Sequence, residues 1–370
     1  MAFFCLLWRV VKHLLFRPET WLMTLIGVAI YSYVHHWGDI KAIFNQAKLS
    51  LSSRTSQLAG IATVIQENHS ESSKEPQLEL SEDVSEEELA QIWEFRKDNV
   101  AVYAIQGRRE HMEDRYSVIT NIAKSGASVF EIFDGHGGDF AAEYAEKKLT
   151  EVLEQRLTRE DAAKNHEDHF TILTDEILSV DKKLVTAAKT QNDVAGTTAL
   201  VALLEDNQLT VANVGDSRGV ICDAEGRAIP LSFDHKPQIL KERKRIKKAG
   251  GFISYNGVWR VQGVLATSRA LGDYPLKDRS YIVADPDILS FDLRDIRPQF
   301  MILATDGLWD AFSNEEAVDF IKERLDEPHF GAKSITLQAF YRGSLDNITV
   351  MVVNFRAKRG NKNGFRETSV

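Results

Sequence analysis

The sequence predicts an α+β fold with antiparallel sheets, on three observations. From Val100 onward short, apolar, β-prone runs recur, and neighbouring runs are joined by tight turns. Those pairs are not regularly separated by the crossover helices that a doubly wound parallel sheet requires. The predicted strands are Val100–Ile105, Val129–Phe133, Thr197–Leu204, Leu209–Val214, Gly219–Cys222, Phe300–Ala304 and Ile348–Phe355. Helical patterns fall at Phe140–Leu157, Phe170–Thr190, Gln238–Ala249 and Asn314–Leu325. At 370 residues with 44% hydrophobic content, the chain can bury one large core and still carry appendages.

Taken in order, residues 1–38 are expected to form a membrane-anchor region, with a spanning segment at about 20–38. No formally charged residue occurs from Thr20 to Gly38, and Trp21, Tyr31, Tyr33 and Trp37 lie near the ends of this stretch. About 20 apolar residues cross a bilayer, and aromatic rings favour its interfaces. No small-residue cleavage site follows, which argues against a signal peptide. Upstream, Phe3 to Phe16 suits an amphipathic segment lying in the interface, with Arg9, Lys12, His13 and Arg17 as its basic residues. Their charge favours a cytosolic N-terminus and hence a translocated C-terminal part, whereas a re-entrant hairpin would leave both ends cytosolic. Residues 39–90 read as a polar, Ser-rich linker that turns acidic at Ser81–Leu89. Ser85 and Glu88 have the spacing of a capping box that opens a short helix into Ile92 and Trp93. Residues 91–356 are the main domain and 357–370 a basic, disordered tail.

A formal charge of −9 provides no broad basic surface, so nucleic acid is excluded as a partner. The two cysteines, Cys5 and Cys222, make neither a disulfide framework nor a thiolate metal site, and point to a reducing, cytosolic compartment for the main domain. Thiol-based phosphoryl chemistry is also excluded: it needs an arginine six positions after the cysteine, and Ala228 stands there after Cys222.

The run Val129–Phe133 ends in Asp134-Gly135-His136, placing a carboxylate at a strand end where backbone can approach closely. One such aspartate is usually a turn, but the pattern recurs at Asp216 and Asp306, and Asp346 immediately precedes the strand from Ile348. Glu113 and Asp114 add two more carboxylates. An oxygen-only donor set suits Mg²⁺ or Mn²⁺ and disfavours zinc. The number of carboxylates allows two ions that share Asp134, the design of a phosphoester hydrolase.

In order along the chain stand Arg109-x-x-x-Glu113-Asp114, Phe-Asp134-Gly-His136-Gly-Gly, Ala-Gly196-Thr-Thr, Val-Gly-Asp216-Ser-Arg218-Gly, Ser268-Arg269-Ala-Leu-Gly-Asp273, Thr-Asp306-Gly-Leu-Trp-Asp310 and Asp346-Asn347-Ile-Thr. This set resembles the metal-dependent serine/threonine protein phosphatases of the 2C type over about residues 93–356. The resemblance implies a central antiparallel β-sandwich flanked by helices, in α-β-β-α layers. It also implies hydrolysis of phosphoserine and phosphothreonine in proteins with two Mg²⁺ or Mn²⁺ ions and a weaker third. Asp134 would bridge the ions, Glu113 and the Gly135 carbonyl would complete one, Asp306 and Asp346 the other, and Asp216 and Asp310 would adjoin the third position. Arg109 would grip phosphate, and His136 would protonate the leaving oxygen. A bland alternative stands beside some roles: His136 as a turn histidine, and Asp216 as the residue closing a hairpin between Leu209–Val214 and Gly219–Cys222.

With the N-terminal stretch, the resemblance extends to membrane-anchored members of the family, which implies a single-pass protein of the endoplasmic reticulum with a cytosolic phosphatase domain. Its partners would be the bilayer and phosphoproteins near it, and the chain is expected to act as a monomer. The alternatives are a non-catalytic, membrane-bound phosphoprotein scaffold of the same fold, or a small-molecule phosphoesterase. The basic run Lys241–Lys248 is by default a solvated helix face. It precedes Ala249–Val261, which the family uses as a flap, where a basic face could favour acidic phosphopeptides. The terminal Thr368-Ser369-Val370 suits a PDZ-type partner.

Overall fold

A computed structural model describes residue 89 and residues 91–123, 125–158 and 168–356. The spanning segment expected at 20–38, almost all of the linker and the tail with its PDZ-type signal lie outside the described residues. Among the described residues no helix is long and apolar enough to cross a membrane.

The chain runs β1 (Ile92–Lys97), β2 (Val100–Ile105), β3 (Arg115–Ile119), β4 (Ser128–Phe133), β5 (Gly135–His136), α1 (Phe140–Thr158) and α2 (His169–Gln191). It continues with β6 (Gly196–Thr197), β7 (Ala199–Glu205), β8 (Gln208–Val214), β9 (Arg218–Cys222), β10 (Ala228–Pro230), α3 (Leu240–Lys248), β11 (Ile253–Asn256), β12 (Val258–Val261) and β13 (Leu271–Gly272). It closes with α4 (Tyr274–Lys277), β14 (Asp287–Asp292), α5 (Leu293–Ile296), β15 (Phe300–Ala304), α6 (Asp306–Trp309), α7 (Asn314–Lys322), α8 (Ala332–Tyr341) and β16 (Ile348–Asn354).

Two large antiparallel sheets result, ordered β1-β2-β16-β15-β9-β10 and β14-β8-β7-β4-β3. The central strands read as unbroken apolar runs because both of their faces are buried. In β2, Ala101, Tyr103 and Ile105 face the layer of α6, α7 and α8, while Val100 and Val102 face the other sheet. In β4, Val129 and Phe133 pack beneath α1 and α2, and Phe130 and Ile132 point between the sheets. The inter-sheet core, with Leu200, Val211, Met301, Leu303 and Met351, therefore lies between two outer helical layers. Each such side chain contributes about 1.5–3 kcal/mol by burial. The layers are α-β-β-α, as the family resemblance implies.

Three readings are corrected. Ile92 and Trp93 do not continue a capped helix: they pair with Ile105 and Ala104, so the β1 edge forms a ladder with β2. Asp216 does not close a hairpin, because β8 and β9 belong to different sheets and the segment between them crosses the sandwich. Strand Thr197–Leu204 is split into β6 and β7, with β6 joining β5 and β13 in a separate small sheet.

Candidate active site

Strand ends from both sheets meet at one end of the sandwich. Asp134 follows β4, and Glu113 and Asp114 precede its partner β3; Asp306 follows β15, and Asp346 precedes the neighbouring β16. Asp114 ties the sheets together, accepting from the Thr305 hydroxyl at 3.0 Å and from the Thr349 hydroxyl at 2.7 Å. The Asp306 amide donates to Asp134 Oδ2 at 3.4 Å. Glycine is required twice here, because a Cβ on Gly135 would stand 2.4 Å from the Glu113 carbonyl oxygen, and one on Gly307 2.1 Å from that of Asn347. Asn347 in turn fixes the loop before β3: it donates to the carbonyls of Gln106 and His111 and accepts from the Glu113 amide at 2.8 Å.

Burial, and then repulsion from Asp306, Asp114, Asp346 and Asp216, pushes the Asp134 carboxyl well above the usual carboxylate range. Burial and Asp216 do the same to Asp306. Asp114 is pushed up to about 7, chiefly by burial, and Asp346 and Asp310 rise for the same first reason. Asp134, Asp306, Asp346, Asp216 and Asp310 thus share one electrostatic field. Glu113 instead turns its carboxylate to the Gly138 amide at 2.8 Å. Among the described residues no three His, Cys, Asp or Glu side chains close around a single point as a formed cage. Donor chemistry and charge nevertheless fit hard divalent cations: the donors are oxygens only, and half-buried carboxylates that repel one another are relieved by positive charge.

The two neighbouring arginines part company. Arg108 donates to the carbonyls of Phe340, at 2.8 Å, and Ser344, at 2.5 Å, and stacks over the Phe340 ring, so its head caps the end of α8. Arg109 is 53% exposed and pairs with Asp346 Oδ2 at 2.5 Å, which leaves it the arginine able to meet a phosphate.

His136 Nε2 lies 2.9 Å from Asp273 Oδ2. Burial lowers the imidazole pKa, but Asp273, by charge and hydrogen bond, together with Asp216 and Glu113, raises it above the ordinary value. A histidine that keeps its proton near neutral pH is equipped to donate it. The backbone crosses close over this pair: a Cβ on Gly196 would stand 2.1 Å from Asp273 Oδ2. Asp273 ends the Ser268–Asp273 motif, and its sequence signal is a carboxylate placed directly after a turn glycine, Gly272, at φ +79°.

The Protein phosphatase 2C family pattern matches residues 98–348. The chain belongs to the protein phosphatase 2C family. This phosphatase is 54% identical over 361 residues to protein phosphatase 1L of Bos taurus, covering 96% of each chain. It is 44% identical over 265 residues to a probable protein phosphatase 2C 59 of Arabidopsis thaliana, covering 71% of this chain and 82% of that one. Among solved structures, a serine-threonine phosphatase 2C from Toxoplasma gondii superposes with a TM-score of 0.62 at 26% identity, over 69% of this chain and 94% of that chain. The phosphatase therefore acts on phosphoserine and phosphothreonine in proteins, and its family generally depends on Mg²⁺ or Mn²⁺.

Proposed function

We propose that this protein serine/threonine phosphatase is tethered to a membrane and works with two divalent cations. The single observation that carries the metal reading is the set of mutually repelling, half-buried carboxylates drawn from both sheets, with Arg109 and His136 beside it. Asp134, Glu113 and the Gly135 carbonyl would hold one ion, and Asp134, Asp306 and Asp346 the other; when bound, they supply positive charge against the phosphoryl oxygens and acidify the attacking water. Arg109 exchanges its Asp346 partner for the substrate phosphate and aligns it. Water forms a bond to phosphorus as the bond to the seryl or threonyl oxygen breaks, and His136, oriented by Asp273, gives that oxygen its proton.

The tether reading is supported by the uncharged stretch 20–38 and its flanking aromatic residues. An endoplasmic reticulum membrane with a cytosolic domain would confine the enzyme to phosphoproteins near that surface. The metal reading is tested by phosphate release from a phosphothreonine peptide with and without Mn²⁺, using the wild type, Asp134→Ala and Asp306→Ala. Metal-dependent turnover that both variants lose by two or more orders of magnitude is the expected result. Equal turnover after chelation would overturn it.

A further inference from the structure

Lys236 belongs to none of the motifs described above, yet its ammonium sits among the site's carboxylates. It donates to Asp216 Oδ2 at 2.5 Å and lies 3.6 Å from Asp306 Oδ2. The backbone just before it is pinned. The preceding residue, His235, donates its amide to the Gly215 carbonyl at 2.9 Å and accepts from the Gly215 amide on Nδ1 at 3.1 Å. The His235 carbonyl also accepts from the Ser268 amide and hydroxyl and from the Thr267 hydroxyl. The loop is thereby pinned to the end of β8, and Lys236 is only 27% exposed. Two further cations near the cluster are engaged elsewhere: Arg109 pairs with Asp346, and Arg218 grips Asp234 through two nitrogens, at 2.9 and 2.8 Å, and donates to Asn314. Among the described residues, the ion pairs of Asp216 and Asp306 are both made with Lys236.

We propose that Lys236 is a tethered monovalent cation that neutralises the Asp216–Asp306 end of the carboxylate cluster, and that a divalent ion must displace it to be ligated there. The inference rests on the divalent-cation reading above and concerns this chain's own residues. A cation fixed on a short stem competes at a high effective concentration, so it weakens binding of a free ion without touching the ligands themselves. The displaced ammonium is then left facing solvent or the substrate phosphate.

Mn²⁺ titration of the full chain in detergent, with free Mn²⁺ followed by electron paramagnetic resonance, reads ion binding without reference to activity. Lys236→Met keeps the stem without the charge and is expected to tighten the weakest bound Mn²⁺ by about tenfold or more, while Lys236→Arg stays close to wild type. A second measurement needs no variant. Reductive methylation of wild type, read by mass spectrometry at Lys236, should rise when Mn²⁺ is added, because the amine leaves its carboxylates. Coincident isotherms for wild type and Lys236→Met, or labelling that Mn²⁺ leaves unchanged or lowers, overturn the proposal while Mn²⁺ binding by wild type preserves the divalent-cation reading. A wild type that binds no Mn²⁺ overturns both.

Discussion

His136 alone could be any turn histidine; its pairing with Asp273 at 2.9 Å gives it the properties of an acid. Asparagine at 273 keeps the shape and a hydrogen-bonding oxygen but removes the charge, so the ring loses its bias toward the protonated form. Asp273→Asn is expected to lower kcat by about 10–100-fold with KM nearly unchanged; an equal rise in KM would instead place Asp273 in substrate binding. Glu131 makes a different residue-scale case. It lies fully buried on the β4 face beneath α1, accepting from Thr150, and burial pushes its carboxyl from 4.5 to about 7. The folded protein keeps this proton where the unfolded chain has lost it, so stability falls as pH rises from about 4.5 to about 7 and is level above that. The penalty at pH 8 is on the order of 3 kcal/mol. Glu131→Gln should remove most of this slope, and melting temperatures of both proteins at pH 5 and pH 8 check it: parallel pH dependences would show that Glu131 is not the source. The strand-end aspartates were legible in the sequence because each follows or precedes an apolar run. Glu131 and Lys236 were not, since nothing in their local sequence shows that the fold buries one beneath a helix and swings the other across to Asp306.

At the scale of elements, β2, β4, β7, β8, β15 and β16 could be read within a residue or two because both faces are buried and their runs are long. Edge and short elements were missed: β3 and β14 are half-buried, with no continuous apolar signal, and β10 has only three residues. Helix α8 was also missed, as its Ile335 and Thr336 lower helix propensity and only packing against β2 and β16 decides its state. Helix α3 was found, and its default reading as a solvated face holds in part. Lys241 pairs with Asp287, and Arg245 turns inward to the buried Glu242. Arg243, Lys244, Lys247 and Lys248 remain exposed on its outer face. The helix begins four residues after Lys236, next to the hairpin of β11 and β12, where the Tyr255 and Trp259 rings meet at the surface, tilted by 59°. Exposed charges of one sign beside a site act mainly on encounter and are screened by salt. Lys244→Glu combined with Lys247→Glu is expected to lower kcat/KM several-fold for a phosphopeptide flanked by acidic residues at low salt, and hardly at all at high salt or for a neutral peptide. A loss of the same size for both peptides at both salt levels would assign these lysines to stability instead.

For the molecule as a whole, the important fact is that the site belongs to neither sheet. Asp134 and Asp114 come from the sheet that α1 and α2 cover, Asp306 and Asp346 from the one that α6, α7 and α8 cover, and the two sets are joined at this end by hydrogen bonds such as those from Thr305 and Thr349 to Asp114 and by the Lys236 ammonium between Asp216 and Asp306. The apolar core between the sheets favours their closure, whereas the repelling carboxylates at its rim oppose it. Divalent ions held by both sets would therefore act as a clamp on the sandwich as well as on substrate. An ion that binds only the folded state at about 100 times its Kd adds about 2.7 kcal/mol of stability. For a domain of this size that is worth about 5–10 °C of melting temperature. Chelation should lower Tm by that amount, and Asp134→Ala should abolish the response. Amide exchange should rise on chelation first at Phe133–His136, Thr305–Asp310 and Asp346–Ile348, while α1 and α2 keep their protection, because the loss is at the rim and not in the helical layer. Exchange that rises first in α1 and α2 would instead mean that the ions hold the outer layer, and that the sheets close without them.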